Sequence, residues 1–598
     1  MLGFLTTLFG QQSSSTLAIN SLEEVVLSTP RIALPLDENS RSIQVIGRTV
    51  IEQTGSTNLA ELLQQVAGVD IRRRGMAGMQ ADLQIRGGSF DQTLLLIDGI
   101  KLDDAQTGHH TLNLALPPEV IERIEIVKGP AARIFGQNAF TGAINIVTKS
   151  NHNHRVILGL QDGSYAQKRR QITSAFTKEN SNMVAHFSQH MANGYRYNTD
   201  FKNTTAFFKG QWNPSRQPIT FLATFSDRKF GANGFYALPS YTDQYEETQG
   251  SLVALTSTID IKTWTFTPRI YWRRGQDTYL LRRYDPSFYR NLHITHKVGM
   301  SIDASNHNAL GTTGLGVDVA RVSIASNNLG NRNRLITTVF AEHRFVLSNN
   351  LLDLTPGIAL TNYTDFGTQI FPGLDVGFTI RPHIRLFANT GYTYRIPTFT
   401  DLYYSDRTTS GNPSLKVEEA LTNEIGIRIN RHKKQFSLAL FHRAAKNLID
   451  YIRQDTEGLF EATNIREVTT RGIETEWISH FNWRGASHRL RLGYVYLIDD
   501  VDAADRQFSR YTINSLKHHF TASLLGNFFQ NTSVNIVYKM AQRPNEEMYH
   551  VLDLSAQWRW KKVQLSLSAN NIFNEVYSES NQIPMPKGNG LVGLQFAL

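Results

Sequence analysis

Apolar and polar residues alternate from about residue 151 to the C-terminus, and this pattern constrains the fold more than any other feature. Near the end of the chain the apolar positions are Leu552, Leu554, Ala556, Trp558 and Trp560, followed by Val563, Leu565 and Leu567. The positions between them are Asp553, Ser555, Gln557 and Arg559, followed by Gln564, Ser566 and Ser568. Because successive side chains of a strand point to opposite faces, a period of two predicts strands with one apolar and one polar face.

The same region predicts a membrane barrel and excludes membrane helices. The chain is 41% hydrophobic with a mean hydropathy of −0.30, and it contains no apolar run near the ~18 residues that a membrane helix needs. A barrel strand shows only every second side chain to lipid, so this composition is compatible with a membrane. At roughly 20 residues per strand with its connection, segment 151–598 has room for about 22 antiparallel strands. A soluble propeller also has many strands, but no repeat of constant period is found.

Segment 42–150 has a different character and is predicted to be a small mixed α/β unit. Short apolar strands are predicted at 93–98 and 123–127. A helix is predicted from the apolar stripe Leu59, Leu62, Leu63 and Val66, with Ser56 or Thr57 as its N-cap and Gly68 as its left-handed end. An unobstructed barrel of this width would leak small solutes, and a unit of about 110 residues has a suitable size to fill its lumen.

Composition also excludes several function classes. Sixty-one Lys and Arg against 52 Asp and Glu give a formal charge of +9, but the charge is scattered along the chain. Its densest cluster, Arg72, Arg73 and Arg74, has no interleaved aromatic residues, so nucleic acid is not an expected partner. The absence of cysteine excludes thiolate chemistry and suits a protein folded in an oxidising envelope compartment. Neither a GxSxG elbow nor an HExxH helix is present, so an enzyme is not expected.

Eight sequence motifs, which together span nearly the whole chain, carry a family resemblance. In the N-terminal unit these motifs are LAELLQQVAGV at 59–69, LQIRGG at 83–88, LLIDG at 95–99 and IERIEIVKGPAARIFGQNAFTGAINIVTK at 121–149. In the barrel they are YRIPTFTDLYY at 394–404, GNPSLKVE at 411–418, TRGIETE at 470–476 and NNIFNEVY at 570–577. These motifs resemble those of the TonB-dependent receptor family and look most similar to its cobalamin-receptor branch. The resemblance implies an outer-membrane barrel with an N-terminal plug in its lumen.

Segment 23–31, EEVVLSTPR, is similar to the TonB box, which family members add as a strand to the periplasmic energy-transducing protein TonB. Strand addition draws its affinity mainly from main-chain hydrogen bonds, and Pro30 forbids a helix beyond the extended residues. The predicted box residues are Glu23, Glu24, Val25, Val26, Leu27, Ser28 and Thr29. The expected organisation is a weak or truncated signal segment at 1–20, the box and linker at 21–41, the plug at 42–150 and the barrel at 151–598.

By this resemblance, the ligand is expected at the outward apices of the plug and at the long barrel connections. The apices are placed at 72–80 and 103–111, with Arg74, Met76, Met79, Gln80, Asp104, Gln106, Thr107, His109 and His110 as candidate contacts. The connections are placed at 235–247 and 271–290, with Tyr236, Tyr241, Tyr245, Arg282, Arg283 and Tyr284 as candidate contacts. Arginines in these connections also suit contact with anionic lipopolysaccharide headgroups. Ion pairs between the plug and the barrel wall are expected from Arg86, Arg123, Glu125, Lys128 and Arg133.

Direct metal ligation by the plug is not expected. His109 and His110 are adjacent, so their side chains diverge on an extended segment, and the sequence shows no carboxylate or cysteine close to them. The same objection holds for His293 and His296. Calcium binding in an extracellular loop is kept as an alternative, because Asp243, Glu246 and Glu247 supply the oxygen ligands that this ion prefers.

The expected function is TonB-dependent active transport of a scarce large solute across the outer membrane. Capture of a ligand at about nanomolar concentration corresponds to a binding free energy of roughly 12 kcal/mol, so release of the ligand needs external work. The sequence contains no nucleotide-binding GxxxxGK[ST] loop that could supply this work. The resemblance implies that the energy-transducing partner is TonB, together with its inner-membrane energising complex. Cobalamin or another corrinoid is the first cargo candidate and a ferric siderophore the alternative; a non-transporting barrel, as an enzyme or adhesin, is a distant third. Outer-membrane lipids and a surface lipoprotein complete the expected partners.

Overall fold

The computed structural model describes residues 32, 34–76, 78–114, 116–152, 154–236, 240–453, 458–464, 467–501, 508–509, 515–580 and 582–598. The predicted TonB box at 23–29 lies outside these described residues. No helix in the described part of the chain has both the length and the apolar character needed to cross a membrane.

The N-terminal unit is a mixed α/β domain built on a five-stranded sheet. Its strands are β1 Ile43–Gly47, β2 Val69–Arg73, β3 Ala81–Ile85, β4 Thr93–Ile97, β5 Ile100–Lys101, β6 Ile121–Lys128 and β7 Gly142–Thr148. The sheet order is β1-β6-β7-β4-β5, in which only the β4–β7 pair is parallel, and β2 with β3 forms a separate hairpin. The helices are α1 Arg48–Gln53, α2 Leu59–Leu63 and α3 Ala132–Phe135. Short 3-10 turns lie at Leu36–Glu38, Phe90–Gln92, Gly108–His110 and Pro118–Val120.

The predicted helix is present but differs in detail from the prediction. It ends at Leu63 rather than near Val66, and its N-cap is Asn58, whose side chain accepts a hydrogen bond from the Glu61 amide. Ser56 and Thr57 precede the capping position, so the predicted caps were wrong. Gly68 has the left-handed conformation that the prediction assigned to it, with φ +80°.

The rest of the chain closes into an antiparallel barrel of 22 strands, which confirms the predicted fold class. The first eleven, with a short extension β14 Ile259–Ile261 of the sixth, are β8 Val156–Gly163, β9 Gln167–Lys178, β10 Ser181–Ala192, β11 Phe201–Trp212, β12 Ile219–Gly231, β13 Tyr245–Ser257, β15 Trp264–Leu280, β16 Arg290–Asn308, β17 Gly311–Ser326, β18 Gly330–Leu347 and β19 Leu352–Tyr363. The others are β20 Gly367–Arg381, β21 Ile384–Arg395, β23 Glu418–Arg431, β24 Lys434–Lys446, β27 Val468–Trp483, β28 Ala486–Val501, β30 His518–Phe529, β31 Thr532–Gln542, β32 Tyr549–Trp560, β33 Val563–Asn570 and β34 Asn589–Ala597. The last strand, β34, pairs with the first, β8, and closes the barrel.

Connections at the two ends of the barrel differ in length, which sets its orientation. One end has tight turns, as at 179–180, 432–433 and 561–562, and the other has long connections, as at 232–244, 396–417 and 571–588. The long end carries further structure: β22 Thr409–Ser410, β25 Ile449–Arg453, β26 Phe460–Asn464 and β29 Phe508–Ser509 form a small sheet, and helix α4 spans Phe399–Tyr403. Outer-membrane barrels place short turns toward the periplasm, so the long connections face outward.

Burial on the barrel strands is inverted relative to a soluble protein. On β32 and β33, Trp558, Trp560 and Leu567 are exposed on the outer face, whereas Ser555 and Gln557 are buried on the inner face. The apolar outer face is what contact with lipid requires, and the polar inner face packs on the plug. The alternating pattern is therefore confirmed in both period and direction.

The plug fills the lumen and shares a core with the wall. Leu59, Leu62 and Leu63 of α2 join the apolar core of the plug sheet, which also includes the wall residues Val184, Phe207, Leu222 and Leu252. The helix therefore packs its apolar stripe inside a barrel rather than inside an independent globule.

Candidate functional site

In the first predicted apex, at 72–80, five of the eight described residues are buried. Arg74 is 3% exposed, pairs with Asp82 at 2.8 Å and lies with its guanidinium 5.6 Å from the centre of the Tyr236 ring. Met76 and Met79 are also buried, and they pack in one cluster with Phe201, Phe230, Phe235 and Ile583. Methionine adapts easily to irregular apolar surroundings, so this cluster is a deformable apolar contact between the plug and the wall.

The second predicted apex, at 103–111, is held by the barrel wall through polar contacts. Asp104 pairs with Arg273 of β15 at 2.9 Å, and the Gln106 side-chain amide donates to Asp277 of the same strand at 3.1 Å. Thr107 caps the 3-10 turn Gly108–His110, because its side chain accepts a hydrogen bond from the His109 amide. The apex is therefore anchored to one wall strand at two positions.

The two adjacent histidines of this apex have different surroundings. His109 lies 2.7 Å from the Asp82 carboxylate and stacks on Phe90 with 3.8 Å between ring centres. His110 lies 3.3 Å from Asp277 through Nε2. Burial disfavours the protonated ring of His110, but the Asp277 carboxylate outweighs this effect and raises its pKa to about 9.

Carboxylates do lie close to His110, contrary to the sequence-based expectation. Glu246 of β13 and Asp277 of β15 each place an oxygen within 4.8 Å of a His110 ring nitrogen and of one another. Both carboxylates come from wall strands well over a hundred residues away in the chain, so the sequence showed no sign of the proximity.

One tyrosine ties an outer connection to the plug. The Tyr236 hydroxyl lies within hydrogen-bonding distance of both the Gln80 side chain and the Glu246 carboxylate. Gln80 in turn donates to the His109 carbonyl at 3.3 Å. Tyr236 thereby joins the connection between β12 and β13 to the first apex directly and to the second apex through Gln80.

The other predicted loop residues spread over the outer surface rather than converging on the apices. Tyr241 and Tyr284 are exposed, Tyr245 donates to Glu247 at 3.1 Å, and Arg283 pairs with Asp200 at 2.5 Å. Arg282 lies over the Phe288 ring, 3.6 Å from its centre.

The expected bounds of the first outer connection were displaced by three residues, and those of the second were too wide. Strand β13 begins at Tyr245, so the first connection spans 232–244, and β15 continues to Leu280, so the second spans 281–289. Arg273 and Arg274 therefore belong to the wall.

Arg86 and Lys128 of the plug form a buried ion-pair network with the wall. Arg86 pairs with Glu424 of β23 and, at 2.8 Å, with Glu474 of β27, and Lys128 pairs with the same Glu474. Lys128 also donates to the Ala67 carbonyl at 2.5 Å. The wall carboxylates hold the pKa of the Arg86 guanidinium above its ordinary value despite burial. One wall carboxylate thus joins two plug cations.

Arg133 enters a slot in the wall made by two glycines. Gly357 and Gly373 lie directly opposite each other on β19 and β20. A Cβ atom added at Gly357 would lie 2.8 Å from Arg133 Nη1, and one added at Gly373 would lie 2.8 Å from Arg133 Cδ. The guanidinium then pairs with Asp375 at 2.5 Å. Side chains larger than glycine on these strands would occupy the volume that Arg133 fills.

Arg123 and Glu125 pair with each other on the plug sheet. Arg123 donates to Glu125 at 2.9 Å, and Asn145 of the neighbouring strand β7 also donates to Glu125 at 3.1 Å. Residues two apart on a strand share a face, so these two charges meet on the plug sheet itself. This pair stabilises the plug sheet, and ion pairs of these two residues with the barrel wall stay a prediction.

A second plug–wall network was not singled out from the sequence. Arg395 pairs with Glu418 at 2.6 Å and Asp401 at 3.0 Å on the wall side, and with Asp91 of the plug at 3.6 Å. Gln92 of the plug donates to Glu418 at 2.8 Å. Burial, together with the neighbouring carboxylates of Asp401 and Glu418, raises the pKa of Asp91 to about 7. The sequence did contain a clue to this network, because Arg395, Asp401 and Glu418 all lie in the family motifs at 394–404 and 411–418.

Three small cavities follow the seam between the plug and strands β31–β34 and β8–β12. Their volumes are about 190, 100 and 90 Å³. The first two share Ser56 and Leu591 in their linings, and the second and third share Arg73 and Met76. The seam begins near Lys561 at the short-turn end and reaches Met79 near the outer connections.

Two family models match the chain and together span most of it. The model described as "TonB dependent receptor-like, beta-barrel" matches residues 141–572, and the model described as "TonB-dependent Receptor Plug Domain" matches residues 35–143.

Individual proteins are similar at low identity over nearly the full length. A relative from Vibrio vulnificus (strain YJ016), named Vitamin B12 transporter BtuB, is 23% identical over 599 residues, covering 94% of this chain and 92% of the relative. The solved siderophore receptor PirA from Pseudomonas aeruginosa has a TM-score of 0.73 at 18% identity, covering 93% of this chain and 99% of its own. The ferric enterobactin receptor PfeA from the same organism has a TM-score of 0.77 at 15% identity, covering 96% and 100%. At these identities the structural matches establish the fold alone.

Proposed function

This chain belongs to the TonB-dependent receptor family, whose members are outer-membrane transporters and not enzymes, and from that premise we propose that its cargo is cobalamin or another corrinoid. The observation that carries this proposal is the near-complete alignment with a relative named as a vitamin B12 transporter. A ferric siderophore is the alternative cargo, and it shares with cobalamin the size that excludes passage through an open pore.

The closed plug supports import by rearrangement rather than by diffusion. The seam cavities, of about 190 Å³ or less, are far smaller than the several hundred Å³ or more that drug-sized ligands occupy, and a corrinoid is larger still. The plug is held to the wall by buried ion pairs on several sides, at Arg86, Lys128, Arg133 and Arg395. Breaking a buried pair costs about 3–5 kcal/mol when one partner is left uncompensated, so opening needs work from outside the barrel.

We assign the delivery of this work to TonB through the predicted box at 23–29. Deleting residues 23–29 is expected to abolish cargo uptake by intact cells while leaving equilibrium binding to the purified protein unchanged, because the deleted segment precedes the plug. A scrambled box of the same composition is the matched control for length. Uptake that persists after the deletion would contradict this assignment of the box.

Equilibrium binding of cyanocobalamin to the purified, detergent-solubilised protein tests the cargo. We expect submicromolar binding that a panel of ferric siderophores does not displace. Lack of cyanocobalamin binding by a protein shown to be folded, both with and without calcium, would overturn the corrinoid proposal. Binding of a ferric siderophore in the same assay would then identify the alternative cargo.

A surface lipoprotein partner and calcium in the outer connections remain predictions. Glu246 and Glu247 are adjacent on strand β13, where Glu246 is buried in the lumen and Glu247 pairs with Lys229. Calcium bound by both carboxylates would therefore require the start of β13 to rearrange.

A further inference from the structure

We infer that His110, Glu246 and Asp277 form a binding site for one divalent transition-metal ion between the plug and the barrel wall. One ligand atom from each residue lies within 4.8 Å of the other two, and all three side chains are buried. The inference goes beyond the proposed transport function and does not depend on which cargo is carried.

Strand pairing places the wall ligands on one lumen-facing patch. Asp277 of β15 lies opposite Thr248 of β13, so Glu246, two residues before Thr248, shares its face on the diagonal. His293 of β16 lies directly opposite Asp277 and is also buried. Its Nδ1 lies 2.7 Å from the Ser326 hydroxyl, so His293 neighbours the patch without belonging to the group of three. The wall offers two carboxylates, and the plug offers His110.

Two oxygen atoms of this patch have no hydrogen-bond partner among the described residues. They are Glu246 Oε1 and Asp277 Oδ1, both buried. A buried carboxylate oxygen left without a partner is costly, and a cation bound between the two would satisfy both. Both side chains are buried, with Glu246 1% and Asp277 7% exposed.

The remaining polar atoms of the ligands are oriented by neighbours. Tyr236 is hydrogen-bonded to the other oxygen of Glu246, and Gln106 donates to the other oxygen of Asp277 at 3.1 Å. Asn113 Nδ2 lies 2.7 Å from His110 Nδ1, and His110 Nε2 lies 3.3 Å from Asp277, so a metal ion bound at Nε2 displaces the proton that this nitrogen shares with Asp277. The neighbours of the two carboxylates set the direction of their lone pairs, as is typical around metal ligands.

The ligand chemistry selects the class of ion. Imidazole nitrogen combined with carboxylate oxygen suits Zn²⁺ and related transition metals, whereas Ca²⁺ prefers six to eight oxygen ligands. Because His110 belongs to the plug and the carboxylates belong to the wall, the ion bridges two parts that must separate for the second apex to move. Metal binding is therefore coupled to the position of this apex.

Zn²⁺ titration of the untagged, full-length protein in detergent tests the site. The protein is first treated with a chelator and dialysed into metal-free buffer, and binding is measured by calorimetry together with elemental analysis. We expect one Zn²⁺ per chain, and we expect His110→Asn, Glu246→Gln and Asp277→Asn each to weaken binding by at least about tenfold. His186→Asn is the matched control, because His186 is a buried lumen-facing histidine that is hydrogen-bonded to Thr173 away from this cluster.

Zinc X-ray absorption on the loaded wild-type protein gives a second readout that needs no variant. Nitrogen and oxygen ligands at about 2.0–2.2 Å are expected. The site would be overturned by absence of stoichiometric Zn²⁺ binding to the folded wild type, by wild-type affinity in all three variants, or by preference for Ca²⁺ over Zn²⁺. Because cyanocobalamin binding is measured separately, failure of the corrinoid proposal and failure of this inference give different results.

Discussion

Single side chains decide how firmly the plug is held, and Glu474 is the clearest case. It lies on strand β27 of the wall and pairs with both Arg86 and Lys128 of the plug, with almost no exposure to solvent. Buried charges are tolerated only when they are paired, so one carboxylate accounts for the placement of two plug cations.

Replacing this carboxylate is expected to loosen the plug without unfolding the barrel. In Glu474→Gln, Lys128 loses its acidic partner, so we expect the free energy of local plug opening to fall by about 3–5 kcal/mol. Hydrogen exchange of the amides in β6 and β7 measures this change. Glu476→Gln is the control, since Glu476 lies two residues further along the same strand and pairs with the wall residue Arg491 at 2.5 Å. Equal exchange in the two variants would show that the Glu474 network does not hold the plug.

At the scale of elements, the connection between β12 and β13 packs on the plug and is bonded to it. It contributes Tyr236 to the plug apices and Phe235 to the apolar cluster that contains Met76 and Met79. The strands beneath it are long and regularly paired, whereas the described part of the connection is held by turn hydrogen bonds, such as Gly234 to Tyr241, and by side chains such as Tyr236. The connection is therefore expected to open before the wall or the plug moves.

Tyr236→Phe isolates the polar fastening because it keeps the aromatic ring and removes only the hydroxyl. Loss of a hydrogen bond worth about 1.4 kcal/mol would raise the population of the open connection about tenfold. Hydrogen exchange at 232–236 and 240–244 is expected to accelerate accordingly. Tyr241→Phe, an exposed tyrosine of the same connection, should leave exchange unchanged. If both variants exchange at the wild-type rate, the apolar cluster rather than the hydroxyl holds the connection.

At the scale of the whole molecule, plug and barrel form one packed body, so transport requires the plug to move against the wall. A tether between the two is a direct test, and the chain contains no cysteine to interfere with it. Ala67 of the plug lies close to Gly493 of β28: a Cβ added at Gly493 would be 2.8 Å from the Ala67 Cβ. Disulfides need about 3.5–4.5 Å between these atoms, so an adjustment of about 1 Å admits one.

The double variant Ala67→Cys with Gly493→Cys is expected to bind cargo but not to import it when oxidised. Reductant should restore uptake, which is measured with whichever cargo the binding experiment identifies. Gly493→Cys alone, which forms no such bridge, controls for the side chain added to the wall. Full uptake by the oxidised double variant would mean that this part of the plug stays against β28 during import.

The strands of the barrel and the helix of the plug could be predicted from the sequence, because both depend on short-range periodicity. The alternation around Leu565 and Leu567 determined both the strands and their lipid-facing side, since the period of a strand is set by backbone geometry alone. The stripe on α2 determined a helix for the same reason, although its cap shifted to Asn58 because several polar residues compete for that position.

The partners of the functional side chains were decided only by tertiary structure. Barrel closure brings Glu246 and Asp277 to His110, and it brings Glu474 to Arg86 and Lys128, across separations of more than a hundred residues. These contacts depend on the register of many strands and on the position of the plug inside the barrel. No local sequence pattern encodes either of these. The sequence by itself thus determined a plugged outer-membrane barrel, whereas the packing of plug against wall decided which charges pair, which contacts hold the apices and where an ion has room to bind.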